Sequence, residues 1–211
     1  MKRGSFRYRQ TRERFISLSL IGRDETGDGV LLRYAARGAN DGVLVRIRQE
    51  NGLTVLSMEL SPGQTWNRFR LTFPSRREEH FYGCGEVYTT LDLKGERVRI
   101  WVAEHQNANR IGRKLIRETI LGKNPDRVRP LREYESYYAQ PTFISSDKYF
   151  LHGDTSAFAE FDFTRADSYT LEFQEPPTLY FGEAASFEEL SRSLSGLLGR
   201  QRQLPDWVYG G

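Results

Sequence analysis

Residues 43–60, VLVRIRQENGLTVLSMEL, contain the pattern that decides the fold. Apolar side chains recur at every second position on both sides of Asn51-Gly52, beginning with Val43 and Val45. Alternation with a period of two is typical of a half-buried β-strand. An Asn-Gly pair between two alternating runs indicates a hairpin with a two-residue turn. The stretch therefore predicts two antiparallel strands joined by a tight turn.

The same alternation continues along most of the chain. Further apolar runs of this kind cover residues 16–20, 69–73, 98–102, 161–163, 171–173 and 179–181. Residues that favour turns separate the runs, most clearly at 24–29, 40–42 and 61–63. Ten or more short strands divided by such turns predict an all-β sandwich.

One long segment interrupts the strand pattern. Residues 103–136 are polar and alternate poorly, and we interpret them as an insertion between two strands. A connection of this length inside a compact domain is usually functional or disordered.

A second interruption, residues 186–199, predicts the one helix, which is C-terminal. Ser186 and Glu189 form a capping box at its start, and Gly199 is suited to end it. The apolar face that the helical period predicts consists of Phe187, Leu190, Leu194, Leu197 and Leu198. We therefore divide the chain into a sandwich domain, 1–185, with the insertion 103–136, and a helix and linker, 186–211.

Charge and composition exclude several classes of protein. The 211 residues contain 31 Lys+Arg and 28 Asp+Glu, a net charge of +3, and the two signs are interspersed. A nucleic-acid surface needs clustered basic residues, so we expect no nucleic-acid partner. An apolar run of about 18 residues and a secretory signal are both absent, so we expect no membrane contact. With one cysteine there is no internal disulfide, and we predict a cytoplasmic protein.

Metal, cofactor and thiol chemistry find little support in the sequence. The three histidines have no metal-ligand spacing, so no metal is predicted. Gly83-Cys-Gly85 lacks the third glycine and the helix of a phosphate loop, and no cofactor is predicted. Cys84 lies in an aromatic strand, where a buried inert thiol is expected, although a Cys–His nucleophile pair stays open as the alternative.

Carbohydrate chemistry has more candidates. Glycoside hydrolysis needs two facing carboxyl groups, and the acids considered are Glu86, Asp92, Glu104, Asp154 and Asp162. The densest mixture of acid, amide and guanidinium groups follows Trp101 and consists of Glu104, His105, Gln106, Asn107, Asn109, Arg110 and Arg113. Such groups beside an aromatic ring suit the binding of a sugar. A solvated surface loop is the alternative interpretation.

Several motifs resemble the N-terminal domain of glycoside hydrolase family 31. The first stretch is Phe81-Tyr-Gly-Cys-Gly-Glu86 followed by Leu91-Asp-Leu-Lys-Gly95 and Trp101. Residues 138–146 and 161–163 resemble the family's next strands, and 199–209, with Gly-Arg-Gln and Pro-Asp-Trp, its link into the catalytic barrel. The resemblance covers about 81–211. Within the family, the chain is most similar to the sulfoquinovosidase-type α-glycosidases.

The resemblance implies an architecture and a function. The fold would be a galactose-mutarotase-like β-sandwich, followed by a (β/α)8 barrel that carries the nucleophile and the acid/base, both Asp. The chain would then contain no catalytic residue and would be an isolated domain of a retaining α-glycosidase, an α-glucosidase or sulfoquinovosidase. Its partners would be that barrel, on the same polypeptide, and a carbohydrate. A free-standing carbohydrate-binding module is the alternative function.

The resemblance also suggests where the domain meets its partners. In the family, a loop of this domain reaches over the mouth of the active site, and the insertion 103–136 is the best match for it. The substrate-side candidates are therefore Glu104, His105, Gln106, Arg110 and Arg113. Trp207 and Tyr209, which follow the helix, are the candidates for contact with the barrel.

Overall fold

The computed structural model describes residues 15–39, 42–87, 90–102, 138–200, 202–203 and 205–208. The first six strands are β1 (Leu18–Thr26), β2 (Gly29–Ala36), β3 (Gly42–Glu50), β4 (Leu53–Leu60), β5 (Phe69–Pro74) and β6 (Phe81–Gly85). The next six are β7 (Arg97–Ile100), β8 (Ala139–Ser145), β9 (Tyr149–Asp154), β10 (Ala159–Asp162), β11 (Ser168–Phe173) and β12 (Thr178–Glu183). Helix α1 (Phe187–Leu198) follows, and then a 3-10 turn, Asp206–Val208.

The strands form two antiparallel sheets, which confirms the predicted sandwich. The larger sheet has eight strands in the order β1-β2-β3-β4-β12-β9-β8-β6. The smaller sheet has the order β5-β11-β10-β7. The first four strands are successive hairpins, whereas β12 returns to pair with β4 and places Leu179 opposite Leu56.

The predicted hairpin at Asn51-Gly52 is confirmed. Glu50 pairs with Leu53 across the turn, and the φ angles of Asn51 and Gly52 are both positive, at 50° and 79°. Positive φ at both central residues defines the type I′ turn that Asn-Gly favours. The turn expected at 24–29 is shorter than predicted, because β1 continues to Thr26 and pairs it with Gly29.

The main core lies between the two sheets and is largely aromatic. Phe81 and Phe143 extend from the larger sheet, and the Phe81 ring stacks on that of Phe163, with 4.6 Å between centroids. Phe143 meets Tyr169 of the smaller sheet edge to face, at 5.3 Å. Aromatic pairs in these geometries stabilise a core beyond the area they bury. The alternating aromatic positions of the sequence therefore face one another across the sandwich.

Helix α1 packs on the other face of the larger sheet. The Ser186 side chain caps it by accepting a hydrogen bond from the Glu189 amide at 3.2 Å. Leu190 is fully buried against Leu53 and Phe150, and Leu194 and Leu197 pack around it. The predicted apolar face was too wide, because Phe187 and Leu198 are about half exposed. The described helix is too short to cross a membrane.

The outer face of the smaller sheet is charged. Across its strands Arg99 pairs with Glu160, Arg97 with Asp162, and Arg70 with Glu172. Exposed ion pairs typically contribute about 0.2–1 kcal/mol, whereas Glu172, with 8% of its surface exposed, is buried beside its partner. The inner side chains of these strands form the core, so charged residues on the alternate positions fit a face in contact with water.

Candidate functional site

Strand β6 contains a glycine-rich bulge at the centre of the motif that resembles family 31. Its pairing with β8 shifts register between Gly83 and Gly85, and φ is positive at Gly83, Cys84 and Gly85. A Cβ on Gly85 would lie 2.1 Å from the carbonyl oxygen of Tyr138. Only glycine permits that approach. The glycines of this motif are therefore needed for the backbone conformation of the bulge, and the motif does not form a phosphate loop.

Cys84 turns its side chain into the core from this bulge. The thiol is buried, and burial raises its pKa. A reactive cysteine needs the opposite, a lowered pKa at an accessible position. The predicted burial of the thiol is confirmed, and its raised pKa makes Cys84 unsuited to act as the nucleophile of a Cys–His pair.

Val102 and Tyr138 flank the stretch that contains the predicted insertion, 103–136. Before it, the Trp101 ring contacts that of Phe158, with 5.8 Å between centroids. After it, the Tyr138 carbonyl accepts a hydrogen bond from the Glu86 amide at 2.8 Å. Contacts within the sandwich therefore fix the positions of Trp101 and Tyr138, on either side of this stretch.

The predicted substrate-side residues Glu104, His105, Gln106, Arg110 and Arg113 lie outside the described residues, as does Tyr209. Trp207 is described. It lies in the 3-10 turn, which a hydrogen bond from the Val208 amide to the Pro205 carbonyl closes, and 78% of its surface is exposed. Its contact with a barrel stays a prediction.

Two of the acids considered for catalysis have structural partners. Asp92 accepts hydrogen bonds from the His80 ring and from the amides of Lys94 and Phe81. Burial favours the neutral form of Asp92, but these hydrogen bonds outweigh it and hold its pKa below the ordinary value. A general acid in glycoside hydrolysis needs a raised pKa. Asp92 therefore fixes the loop before β7 against β6.

Asp162 is similar. It accepts from the Arg97 guanidinium at 2.5 Å and from the Thr164 hydroxyl at 2.5 Å. Burial again opposes the charged form, and the hydrogen bonds from Thr164 and Arg97 outweigh it, so the pKa of Asp162 is lowered.

Within the described residues, no group of three or more His, Cys, Asp or Glu is arranged to hold a metal ion.

Sequence reasoning missed Glu79, the most buried carboxyl group described, with 2% of its surface exposed. Its Oε1 accepts hydrogen bonds from Ser145 Oγ at 2.5 Å and Tyr149 Oη at 2.7 Å. Its Oε2 accepts from the Arg76 amide at 3.1 Å. Burial is the main cause that raises the pKa of Tyr149, and it raises that of Tyr169 to about 12. The segment Arg-Arg-Glu-Glu-His, 76–80, gives no local signal that the second Glu is buried.

The Glu79 cluster, which comprises Glu79, Ser145, Tyr149 and Tyr169, is a structural feature. Its members join the loop before β6 to the hairpin of β8 and β9, and a hydrogen bond of 3.4 Å also links the Tyr149 hydroxyl to that of Tyr169 in β11. Every polar atom of the Glu79 carboxylate has a partner, which is how proteins tolerate a buried polar group. The cluster therefore orients β6 and β8, the strands that carry the bulge and the return of the insertion.

Comparison with known proteins identifies the domain. Residues 32–111 match the model of the glycosyl hydrolase 31 N-terminal galactose mutarotase-like domain. The chain is 30% identical to a sulfoquinovosidase of Escherichia coli K12 over its full length, which is 30% of that protein. It is 35% identical to a sulfoquinovosidase of Agrobacterium fabrum over 70% of this chain and 22% of that protein. The chain thus spans less than a third of the length of these relatives.

Solved structures of family 31 enzymes share the fold of this domain. A family 31 sulfoquinovosidase from E. rectale, in complex with an aza-sugar inhibitor, superposes with a TM-score of 0.73 and 29% identity, over 94% of this chain and 28% of that one. A cycloalternan-forming enzyme from Listeria monocytogenes shares the fold, with a TM-score of 0.69 at 14% identity, over 90% of this chain and 23% of that one. The chain therefore belongs to glycoside hydrolase family 31, of which it forms the N-terminal galactose mutarotase-like domain.

Proposed function

We propose that this domain is the non-catalytic N-terminal part of a retaining α-glycosidase that hydrolyses sulfoquinovosides, in preference to simple α-glucosides. The observation that carries the proposal is the identity to a sulfoquinovosidase along the whole chain. A second sulfoquinovosidase and the E. rectale structure support the same substrate class.

The catalytic carboxyl groups would belong to a (β/α)8 barrel that follows on the same polypeptide. A retaining enzyme needs one carboxylate as nucleophile, which forms a glycosyl-enzyme intermediate, and a second carboxyl group as acid and then base. Asp92 and Asp162 do not suit the second role, because their pKa values are lowered. Their side chains hold loops and strands of the sandwich, which supports a domain without catalytic residues.

The domain's own contribution would be to pack on the barrel and to shape the substrate pocket. Helix and linker 186–211 would lead into the barrel, with Trp207 and Tyr209 at the contact. The insertion 103–136 would reach the pocket and place Glu104, His105, Gln106, Arg110 and Arg113 on the substrate side. The exposure of Trp207 and the attachment of the insertion at Trp101 and Tyr138 support this arrangement.

Activity measurements test the proposal. The 211-residue chain and the product of its complete reading frame would each be assayed with 4-nitrophenyl α-sulfoquinovoside and 4-nitrophenyl α-glucoside. We expect no turnover by the chain alone, and a higher kcat/KM for the sulfoquinovoside with the longer product. Hydrolysis by the chain alone would contradict the non-catalytic role, and a preference for the glucoside would contradict the substrate class.

Substitutions in the longer product would test the pocket role of the insertion. We expect Arg110→Ala and Arg113→Ala to raise KM for the sulfoquinovoside. Arg165→Ala, at an exposed turn of the smaller sheet, is the matched control. Calorimetry of the isolated chain with oligosaccharides addresses the alternative, since millimolar or tighter binding would favour a free-standing carbohydrate-binding module.

A cytoplasmic location is also part of the proposal. The single cysteine of the chain, Cys84, is buried, and a fold that needs no disulfide supports a reducing compartment. Fractionation of the source cells, with detection by an antibody to this domain, tests it. Recovery of the protein outside the cytoplasmic fraction would contradict it.

A further inference from the structure

Helix α1 has a second apolar line beside the face that packs on the larger sheet. This line, the α1 seam, consists of Phe187, Ser191, Leu194 and Leu198. Their spacing of four, three and four residues places the four side chains within about 60° of one another around the helix axis. Leu190, which is fully buried on the sheet, lies about 60° away from Phe187 around the same axis. The apolar surface of the helix is therefore wider than the part that the sheet covers.

The sheet covers the α1 seam only in part. Leu194 packs on the cluster beneath the helix, whereas Phe187 and Leu198, at the two ends of the seam, are 50% and 42% exposed. On the side away from the sheet, the seam is bordered by the exposed ion pair of Glu188 and Arg192. Interfaces between proteins or domains commonly have this arrangement of an apolar centre and a charged rim, and exposed apolar side chains that lie together mark such interfaces.

The direction of the seam indicates what kind of element can cover it. From Phe187 to Leu198 the seam makes three turns with about 3.7 residues in each, close to the 3.6 of an α-helix, so it runs almost parallel to the axis over about 16 Å. A partner that contacts its whole length must be straight and nearly parallel to it. Another helix that crosses at an angle near 20° meets this requirement. The small Ser191 between larger side chains leaves a groove for a ridge of such a helix.

We propose that the α1 seam packs against a helix of the (β/α)8 barrel, an inference that rests on the proposed function. Such a barrel carries its helices as an outer ring, so it offers elements of the required shape. The chain spans 30% of the length of its Escherichia coli relative, so the rest of such a protein can supply the partner. Asp206, which begins the 3-10 turn, follows Leu198 by eight residues, at most about 29 Å of extended chain. A domain that follows this turn can therefore reach the seam.

Hydrogen exchange of helix α1, measured by mass spectrometry, tests the proposal. The rates of the amides of residues 191–198 would be compared between the 211-residue chain and the product of its complete reading frame. We expect exchange at least about tenfold slower in the longer product, because a helix packed on α1 opposes its opening. Phe187→Ser/Leu198→Ser should abolish this difference, since it removes both exposed ends of the seam.

Leu20→Ser/Ile21→Ser is the matched control, because these two side chains are 52% and 50% exposed on β1, the edge strand of the larger sheet. It should leave the tenfold difference in place. Every variant is measured at both lengths, so loosening of the domain itself appears in the 211-residue chain and is not mistaken for loss of the contact. If Phe187→Ser/Leu198→Ser fails to fold, Leu198→Ser alone, at the end of the helix, decides.

Equal exchange of α1 at both lengths would overturn the proposal, as would a difference that the seam variant retains or that the control also loses. Protection of α1 in the 211-residue chain that is lost on dilution would assign the seam to a second copy and overturn it too. The activity assays are decided separately. A longer product that hydrolyses the sulfoquinovoside but leaves α1 unprotected would overturn the seam contact alone, and a protected α1 in a product without that activity would overturn the substrate class alone.

Discussion

The hydroxyl group of Tyr149 donates a hydrogen bond to the buried carboxylate of Glu79, with 2.7 Å between the two oxygens. The two residues are seventy positions apart in the chain. Glu79 lies in the loop before β6, and Tyr149 begins β9. The contact shows that a carboxylate with 2% of its surface exposed is held by a hydroxyl group from a remote strand.

Replacement of Glu79 should therefore destabilise the domain. Glu79→Leu leaves the Ser145 hydroxyl, the Tyr149 hydroxyl and the Arg76 amide without their acceptor. We expect a loss of about 2–4 kcal/mol in the free energy of unfolding, since buried donors left unpaired pay their full desolvation cost. Urea unfolding measures it. Glu78→Leu, one position earlier and exposed, is the control, and equal effects of the two substitutions would contradict the role of the Glu79 cluster.

Substitution of Gly182 should destabilise the domain, because the Phe150 ring lies against this position. A Cβ at this position would lie 2.3 Å from Cε1 of Phe150, which is fully buried beneath helix α1. Overpacking of this kind costs about 1–3 kcal/mol, and we expect Gly182→Ala to lower the melting temperature accordingly.

Gly196→Ala provides a control of opposite sign. Gly196 is an exposed position in helix α1 with open space around it. Alanine there should stabilise the domain by up to about 1 kcal/mol, because glycine is the poorer helix former. The melting temperatures of Gly182→Ala and Gly196→Ala, measured by calorimetry, test both predictions. A stabilised Gly182→Ala protein would show that the Phe150 ring can move.

Acid should weaken the domain partly through Asp162. Its pKa in the folded state is lowered from the ordinary value of 3.8. A carboxyl group of this kind contributes stability that is fully present above its unfolded pKa and is lost as the pH falls through its folded pKa. We therefore expect the cost of Asp162→Asn, measured by urea unfolding, to be constant near neutral pH and to shrink below about pH 4.

Asp167→Asn serves as the control for this titration, since Asp167 lies in the exposed turn that follows β10. Its small effect on the free energy of unfolding should show no such decline. An effect of Asp162→Asn that grows on acidification would contradict the hydrogen bonds from Arg97 and Thr164 as the cause of the lowered pKa.

The Cys84 thiol should be unreactive until the domain unfolds. Burial raises its pKa and keeps reagents away. We expect slow reaction with a disulfide reagent such as DTNB in native buffer and rapid, complete reaction in concentrated urea. A native rate close to the unfolded rate would mean that strand β6 opens easily at its bulge.

Local parts of the fold could be predicted from the sequence. Asn51-Gly52 sets its turn through the φ angles that the two residues prefer, and Ser186 sets the start of α1 through its side-chain oxygen. Both effects act within a few residues. The substrate-side candidates of the insertion could be proposed only from composition and resemblance, because a sugar contact depends on how remote segments come together and has no local signal in the sequence.

By itself, then, the sequence determined the period of two, the turns, the helix and the membership in a family, all of which depend on neighbours along the chain. Tertiary structure alone decided which strands pair, as when β12 places Leu179 opposite Leu56. It also decided that Leu190 is buried while Phe187, on the same helix, stays half exposed, and that Glu79 rather than Glu78 enters the core. These outcomes depend on contacts between remote segments, which exist only once the two sheets have closed on each other.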